Sequence, residues 1–128
     1  MVKRYDVSSI RSPGGRYSHV GEVGSGGRLF HLAGQTGTAP DGTTPDGIEA
    51  QSRVVYQNIA SVLTECGMGL ANLVKVANYL TDPDNIEGWR GVQKEAFGDI
   101  APASTLLVVS RLARPEYLVE VEAIAAID

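Results

Sequence analysis

The stretch Leu73-Val74-Lys75-Val76-Ala77-Asn78-Tyr79-Leu80, followed at once by Thr81-Asp82-Pro83, decides how this chain folds. Its first eight residues read as a strand. Side chains alternate across a strand, which sets Val74, Val76 and Leu80 on one face and Leu73, Ala77 and Tyr79 on the other. Apolar residues on both faces predict a sheet covered on both sides. Asp82 then offers a helix N-cap, and Pro83 suits the first helical position, where its missing N–H leaves no bond unmade. Ile86, Trp89, Gln93, Ala96 and Phe97 follow at helical spacing, with Gly98 as a stop. Thr105 to Ser110 is β-branched and apolar and reads as the next strand. A strand-helix-strand unit of this kind crosses over right-handed.

Working outward, a second helix begins near Asp46, a candidate N-cap with Glu49 three residues on as the return half of a capping box. Val55, Ile59, Val62, Leu63 and Cys66 form its apolar stripe, and Gly67 supplies its end. Upstream, Tyr17 to Val23 and Arg28 to Ala33 flank the turn cluster Gly24-Ser25-Gly26-Gly27, the pattern of a β-hairpin. Gly34 to Gly47 reads as loop. Downstream, Arg114-Pro115-Glu116 turns the chain into a last strand, Tyr117 to Ile127. The expectation is one α+β domain, residues 1–128, with both helices on one face of a mixed sheet. The other face would carry apolar side chains that nothing in the chain covers, so a second copy is expected there.

Bulk properties narrow the function classes. With 128 residues, 43 % hydrophobic and 20 % charged, the chain can bury one core without disulfides or structural metal. Its net charge of −4, with no basic run, gives nucleic-acid binding no electrostatic support. The single cysteine, Cys66, rules out an internal disulfide and a cysteine metal cluster; it reads as a small buried hydrophobe. His19 and His31 lack metal-pair spacing and read as structural or surface residues. Neither a signal peptide nor a membrane-spanning run is expected, and the expected location is cytoplasmic. There is no phosphate loop, nucleophile elbow or zinc signature, and no cofactor is expected.

Several strings together carry a resemblance. Gly15-Arg16-Tyr17-Ser18-His19-Val20-Gly21, Leu32-Ala33-Gly34-Gln35, Glu95-Ala96-Phe97, Pro102-Ala103-Ser104-Thr105 and Val119-Glu120-Val121-Glu122-Ala123-Ile124-Ala125 resemble, in order and spacing, the landmarks of the RidA/YjgF family. The resemblance implies a chorismate-mutase-like α+β fold, a homotrimer with ligand clefts between subunits, and hydrolysis of an enamine or imine to a carbonyl product and ammonia. It also implies roles for single residues. Glu120 matches the glutamate that helps place water, and Tyr17 the tyrosine that closes over the ligand. Ala33, Gly34, Gln35, Gly91 and Ser104 fall at substrate-binding positions.

Ser104 is the chief departure, since the family has an arginine there that clamps a substrate carboxylate. A hydroxyl offers one donor and no charge, so it cannot replace a bidentate guanidinium. Ala33 replaces a serine and Gly91 an asparagine. Arg16 or Arg90 could supply the missing cation. Each residue also has a plain structural reading: Glu120 as an ion-paired acid, Tyr17 as a hairpin aromatic, Gly34 and Gln35 as turn residues, Ser104 as a strand residue, Trp89 as core.

Two functions compete. One is an enamine or imine hydrolase whose substrate range is altered by Ser104. The other is a non-catalytic trimer binding a small molecule in the same clefts. An RNA-cleaving activity, a label also attached to the family, has against it the acidic charge and the lack of a His/Lys cluster.

Overall fold

The computed structural model describes Met1–Asp128. Its strands are β1 (Val2–Tyr5), β2 (Val20–Val23), β3 (Arg28–Thr36), β4 (Leu73–Leu80), β5 (Ala103–Val108) and β6 (Val119–Ile127); the helices are α1 (Ile48–Glu65) and α2 (Ile86–Phe97). Four strands make the main sheet in the order β3-β6-β4-β5, with β4 and β5 parallel and the other pairs antiparallel. Val55, Ile59 and Leu63 of α1 share one core with Trp89, Val92 and Phe97 of α2 and with Val76, Leu80, Val121 and Ala123 of the sheet. Both helices therefore cover the same sheet face, as the α+β reading expects. No helix is long and apolar enough to cross a membrane.

The expected hairpin between β2 and β3 does not form. β2 pairs instead with β1, and β3 runs to the far side of the sheet to pair with β6. Two forces favour this arrangement. Val119–Ile127 offers β3 a long ladder beside the core, whereas β1 sets Lys3 opposite Glu22 in β2, an opposite-charge pair. The β1–β2 ribbon is tied to the start of β4 by Arg4, whose guanidinium donates to the carbonyl oxygens of Ala71 (2.6 Å) and Leu73 (2.7 Å). Gly21 lets the ribbon lie close, since a Cβ there would fall 2.5 Å from the Val74 carbonyl oxygen.

Strand faces also need correcting in β4. Its pairing with β6 slips between Leu73 and Lys75, and one extra residue reverses the alternation. Leu73 thereby joins Val76, Asn78 and Leu80 beneath the helices, while Val74 goes to the other side. That other face is not uniformly apolar: Lys75, Tyr79, Glu122 and His31 stand among Ala77, Thr105 and Ile124 around a depression of about 370 Å³. Leu29 and Leu107 remain half exposed.

Helix ends follow backbone conformation more than side-chain caps. Gly47, at φ 89°, precedes α1 with no side-chain cap bond, so the Asp46 capping box is not used. Gly67, at φ 74°, ends the helix in a Schellman turn, with Met68 N–H donating to Leu63 O (2.8 Å) and Gly67 N–H to Thr64 O (3.0 Å). Cys66 is exposed at this end and is not the buried hydrophobe expected. Asp82 Oδ1 does accept from Asp84 N–H (2.8 Å), capping a short helical turn that leads into α2. Buried Gln51 ties two loops to α1. Its amide donates to Pro45 O (3.0 Å) and Glu116 O (2.9 Å), and its oxygen accepts from Leu118 N–H (2.9 Å).

Candidate functional site

Two groups of chemically capable residues emerge, on different parts of the chain. The first lines a cavity of about 630 Å³ between the segment 11–17, helix α2 and strand β5. Tyr17, Arg11 and Arg16 come from the segment, Trp89, Arg90 and Gln93 from α2, and Ser104 and Leu106 from β5.

The segment is irregular because Gly14 and Gly15 both take positive φ, 67° and 78°. Its anchor is His19, which is mostly buried. Nδ1 accepts from Val7 N–H (3.1 Å), so Nε2 carries the proton and lies 3.1 Å from Arg11 O. Ser18 fixes the other end, its N–H bonded to Pro102 O (3.3 Å) and its hydroxyl to Ala101 O (2.7 Å). Tyr17 packs edge-on to His19 at 6.3 Å and is about one-third exposed, at 37 %.

Ser104 stands opposite Val76 in the parallel ladder, which turns its side chain toward the helices. Its Oγ accepts from Nδ2 of the fully buried Asn78 (3.0 Å), and Asn78 also donates to Thr105 O (2.9 Å). Asn78 Oδ1 has no partner. Arg90 pairs with Glu87 at 2.7 Å, whereas Arg11 and Arg16 make no ion pair. No carboxylate lines the cavity. Trp89 belongs both to this wall and to the core; its Nε1–H donates to Tyr56 Oη (2.8 Å), and burial pushes the Tyr56 phenol well above its ordinary pKa.

The second group gathers where β3 meets β6. The ladder slips between Leu32 and Gln35, so Ala33 and Gly34 stand outside regular pairing. Glu120, opposite Thr36 in β3 and Tyr79 in β4, lays its carboxylate over Gly34. Ala33 is exposed, and its carbonyl accepts from Gln35 Nε2 (3.3 Å). Tyr79 Oη donates to Glu122 Oε1, and that bond, then partial burial and the charges of Glu122 and Glu120, hold the phenol above its usual pKa.

Within one chain, then, Tyr17 and Ser104 share a cavity with Arg16 and Arg90, and Glu120 shares the bulge with Ala33, Gly34 and Gln35. No cavity is lined by members of both groups. Gly91 joins neither; it is exposed on α2, with nothing within 4 Å of where its Cβ would be. No cluster of three or more His, Cys, Asp or Glu side chains could hold a metal ion. Arg11, Asn78 and Tyr79 were not legible as site neighbours. For Asn78 a signal existed in principle, because aligning β4 with β5 in parallel sets it two positions from the partner of Ser104.

Comparison with known proteins fits this architecture. The sequence profile of the family described as endoribonuclease L-PSP matches residues 9–127. The mitochondrial protein mmf2 of Schizosaccharomyces pombe is 36 % identical over 121 residues, covering 93 % of this chain and 94 % of that protein. A protein of Escherichia coli named as a candidate reactive intermediate deaminase, TdcF, is 26 % identical over 93 % of this chain and 94 % of its own length. The crystal structure of YyfB from Yersinia pestis, a protein of unknown function in the conserved Rid family, superposes with a TM-score of 0.88 at 26 % identity and covers 98 % of each chain. With its α+β architecture and a match over nearly its whole length, this chain belongs to the endoribonuclease L-PSP family, also called RidA/YjgF.

Proposed function

We propose that this protein is a cytoplasmic homotrimeric hydrolase of enamine, imine or related C=N metabolites, working in clefts between subunits without a cofactor. The observation that carries the reading is the Glu120 carboxylate seated on Gly34 at the β3 bulge, a place where regular pairing stops beside the exposed Ala33. The separation of this group from the Tyr17–Ser104 cavity is what a cleft built from two copies requires, each copy giving one half. Association would also cover Leu29 and Leu107. Nucleic acid and membrane are not expected partners of an acidic chain of this kind.

Chemically, Glu120 would take a proton from water as the water oxygen bonds to the imine carbon. The C=N electron pair moves to nitrogen, which is protonated. Collapse of the carbinolamine then breaks the C–N bond and leaves a carbonyl and ammonia. Ser104 in place of the family arginine weakens the grip on a simple 2-imino acid, by about 10²-fold for a lost charge-assisted pair, so the preferred substrate differs from 2-aminoacrylate. The test is ammonia release from 2-aminoacrylate generated in situ and from a panel of imines, with the trimer verified. Silence across the panel removes the reading.

A second reading, a non-catalytic binding trimer, is favoured by the reduction of three polar positions to Ala33, Gly91 and Ser104. Ligand-induced thermal shifts without turnover on any imine would support it instead.

A further inference from the structure

We infer that the 630 Å³ cavity is a site for a small organic dianion, anchored by Arg16 and Arg90 with the Ser104 hydroxyl as a directed donor. The inference rests on reading this cavity as the substrate-anchoring half of the cleft, and it adds the charge class of the substrate.

Three arginines, Arg11, Arg16 and Arg90, line one space in a chain whose net charge is −4. Random placement would scatter acids among them, yet no carboxylate is in the lining. One acid touches the set from outside: Glu87, bound to Arg90 Nη1 at 2.7 Å. Three positive charges less one leave two, the charge that a dianion neutralises. Arg90 keeps its other N–H donors, and Arg16 has no ion-pair partner. A guanidinium offers up to five donors in a rigid fork, so a carboxylate or phosphate can be held at two points.

The wall opposite the arginines completes the pattern. Asn78 gives one Nδ2 hydrogen to Ser104 Oγ and the other to Thr105 O. An Oγ that accepts from Asn78 is left with its own hydrogen free, and that O–H lies on the cavity wall. Asn78 is thus a positioning residue that makes Ser104 a donor rather than an acceptor. The strand arginine of the family puts charge on β5. Here β5 contributes a neutral donor, and the charge has moved to α2 and the preceding segment. A cavity of this size accommodates a small organic acid with space for water.

The experiment is calorimetric titration of the intact protein with succinate and with glycerol 3-phosphate, acetate and succinamide serving as the singly charged and neutral controls. Both dianions should bind, the phosphate or the dicarboxylate more tightly according to which source the site prefers, and acetate at least about tenfold more weakly. Arg16→Gln and Arg90→Gln should each lower dianion affinity by about tenfold or more, and Ser104→Ala by a few-fold. Arg28→Gln, far from the cavity, should change nothing. Folding of each variant is checked by its unfolding midpoint without ligand. Equal binding by the Arg16→Gln/Arg90→Gln double variant overturns the inference, as does equal affinity for acetate, or no binding of either dianion at millimolar concentration. Dianion binding without turnover of any imine would leave this site standing and remove the hydrolase reading. Turnover indifferent to Arg16 and Arg90 would do the reverse.

Discussion

The carboxylate of Glu120 fills the space that a side chain at residue 34 would need: a β-carbon on Gly34 would lie 2.9 Å from the carboxyl carbon of Glu120 and overlap Oε2. Gly34→Ala must therefore push the carboxylate aside. The displaced group is the end of a flexible side chain, so the fold should lose less than about 1 kcal/mol. Imine turnover should fall about tenfold or more, approaching the loss in Glu120→Gln. Steady-state ammonia release, read beside thermal unfolding, checks both halves. Unchanged turnover in Gly34→Ala would detach Glu120 from the reaction.

Installing the family's own solution gives a second expectation. Ser104 lines the cavity, so Ser104→Arg would add a guanidinium there. Activity on 2-aminoacrylate should rise by about tenfold or more, a partial recovery of the about 10²-fold that the missing charge-assisted pair costs. The cost is the loss of the Asn78 bond beneath it, visible as a lower unfolding midpoint. A competition assay that captures 2-aminoacrylate chemically would measure the gain.

How much of the fold and site is legible in the sequence varies by element. The apolar stripe of α1, its stop at Gly67, and the strand-helix-strand unit around Asp82-Pro83 follow from local rules, since each needs only neighbours in sequence. The partner of β2 does not, because strand pairing compares distant segments: Val2–Tyr5 is only four residues with two charges, and β6 outcompetes β2 for β3. The face of Leu73 escaped for a different reason. One slipped residue reverses alternation, and nothing in Leu73-Val74-Lys75 marks the slip. Among site residues, Glu120, Tyr17 and Ser104 are marked by resemblance. The gathering of Arg11, Arg16 and Arg90 spans eighty positions and becomes visible only in the fold.

His19 supports a third test. Its ring nitrogens hold Val7 and Arg11, so His19→Ala should free the segment that carries Arg11 and Arg16. Two lost bonds cost about 1–3 kcal/mol locally, with little effect on the core. Trypsin should cut after Arg11 or Arg16 several times faster, while denaturant unfolding followed by Trp89 fluorescence stays close to that of the parent. Equal cleavage rates would show that Ser18 alone holds the segment.

The phenol of Tyr79 gives the pH dependence. Its hydrogen bond to Glu122 raises its pKa above the ordinary value of 10.0. The folded state therefore holds this proton more tightly than the unfolded chain does. Stability from this source is complete below about pH 10 and declines as pH rises through the folded-state value. Ultraviolet titration of phenolate should show one tyrosine moving back toward 10.0 in Glu122→Gln, and that variant should lose less stability on going to strongly alkaline pH. No change in the titration would place the bond outside the solution structure.

Gln51 reaches further than loop closure. Its oxygen holds Leu118 two residues before Glu120, and its side-chain carbons press on Gly37 three residues after Gly34, where a β-carbon would lie 2.6 Å from Gln51 Cβ. One buried amide on α1 thus sets the lateral alignment of both strands that bring carboxylate and glycine together. The gap between Glu120 and Gly34 is gauged from the opposite side of the sheet, by a residue that meets neither solvent nor ligand.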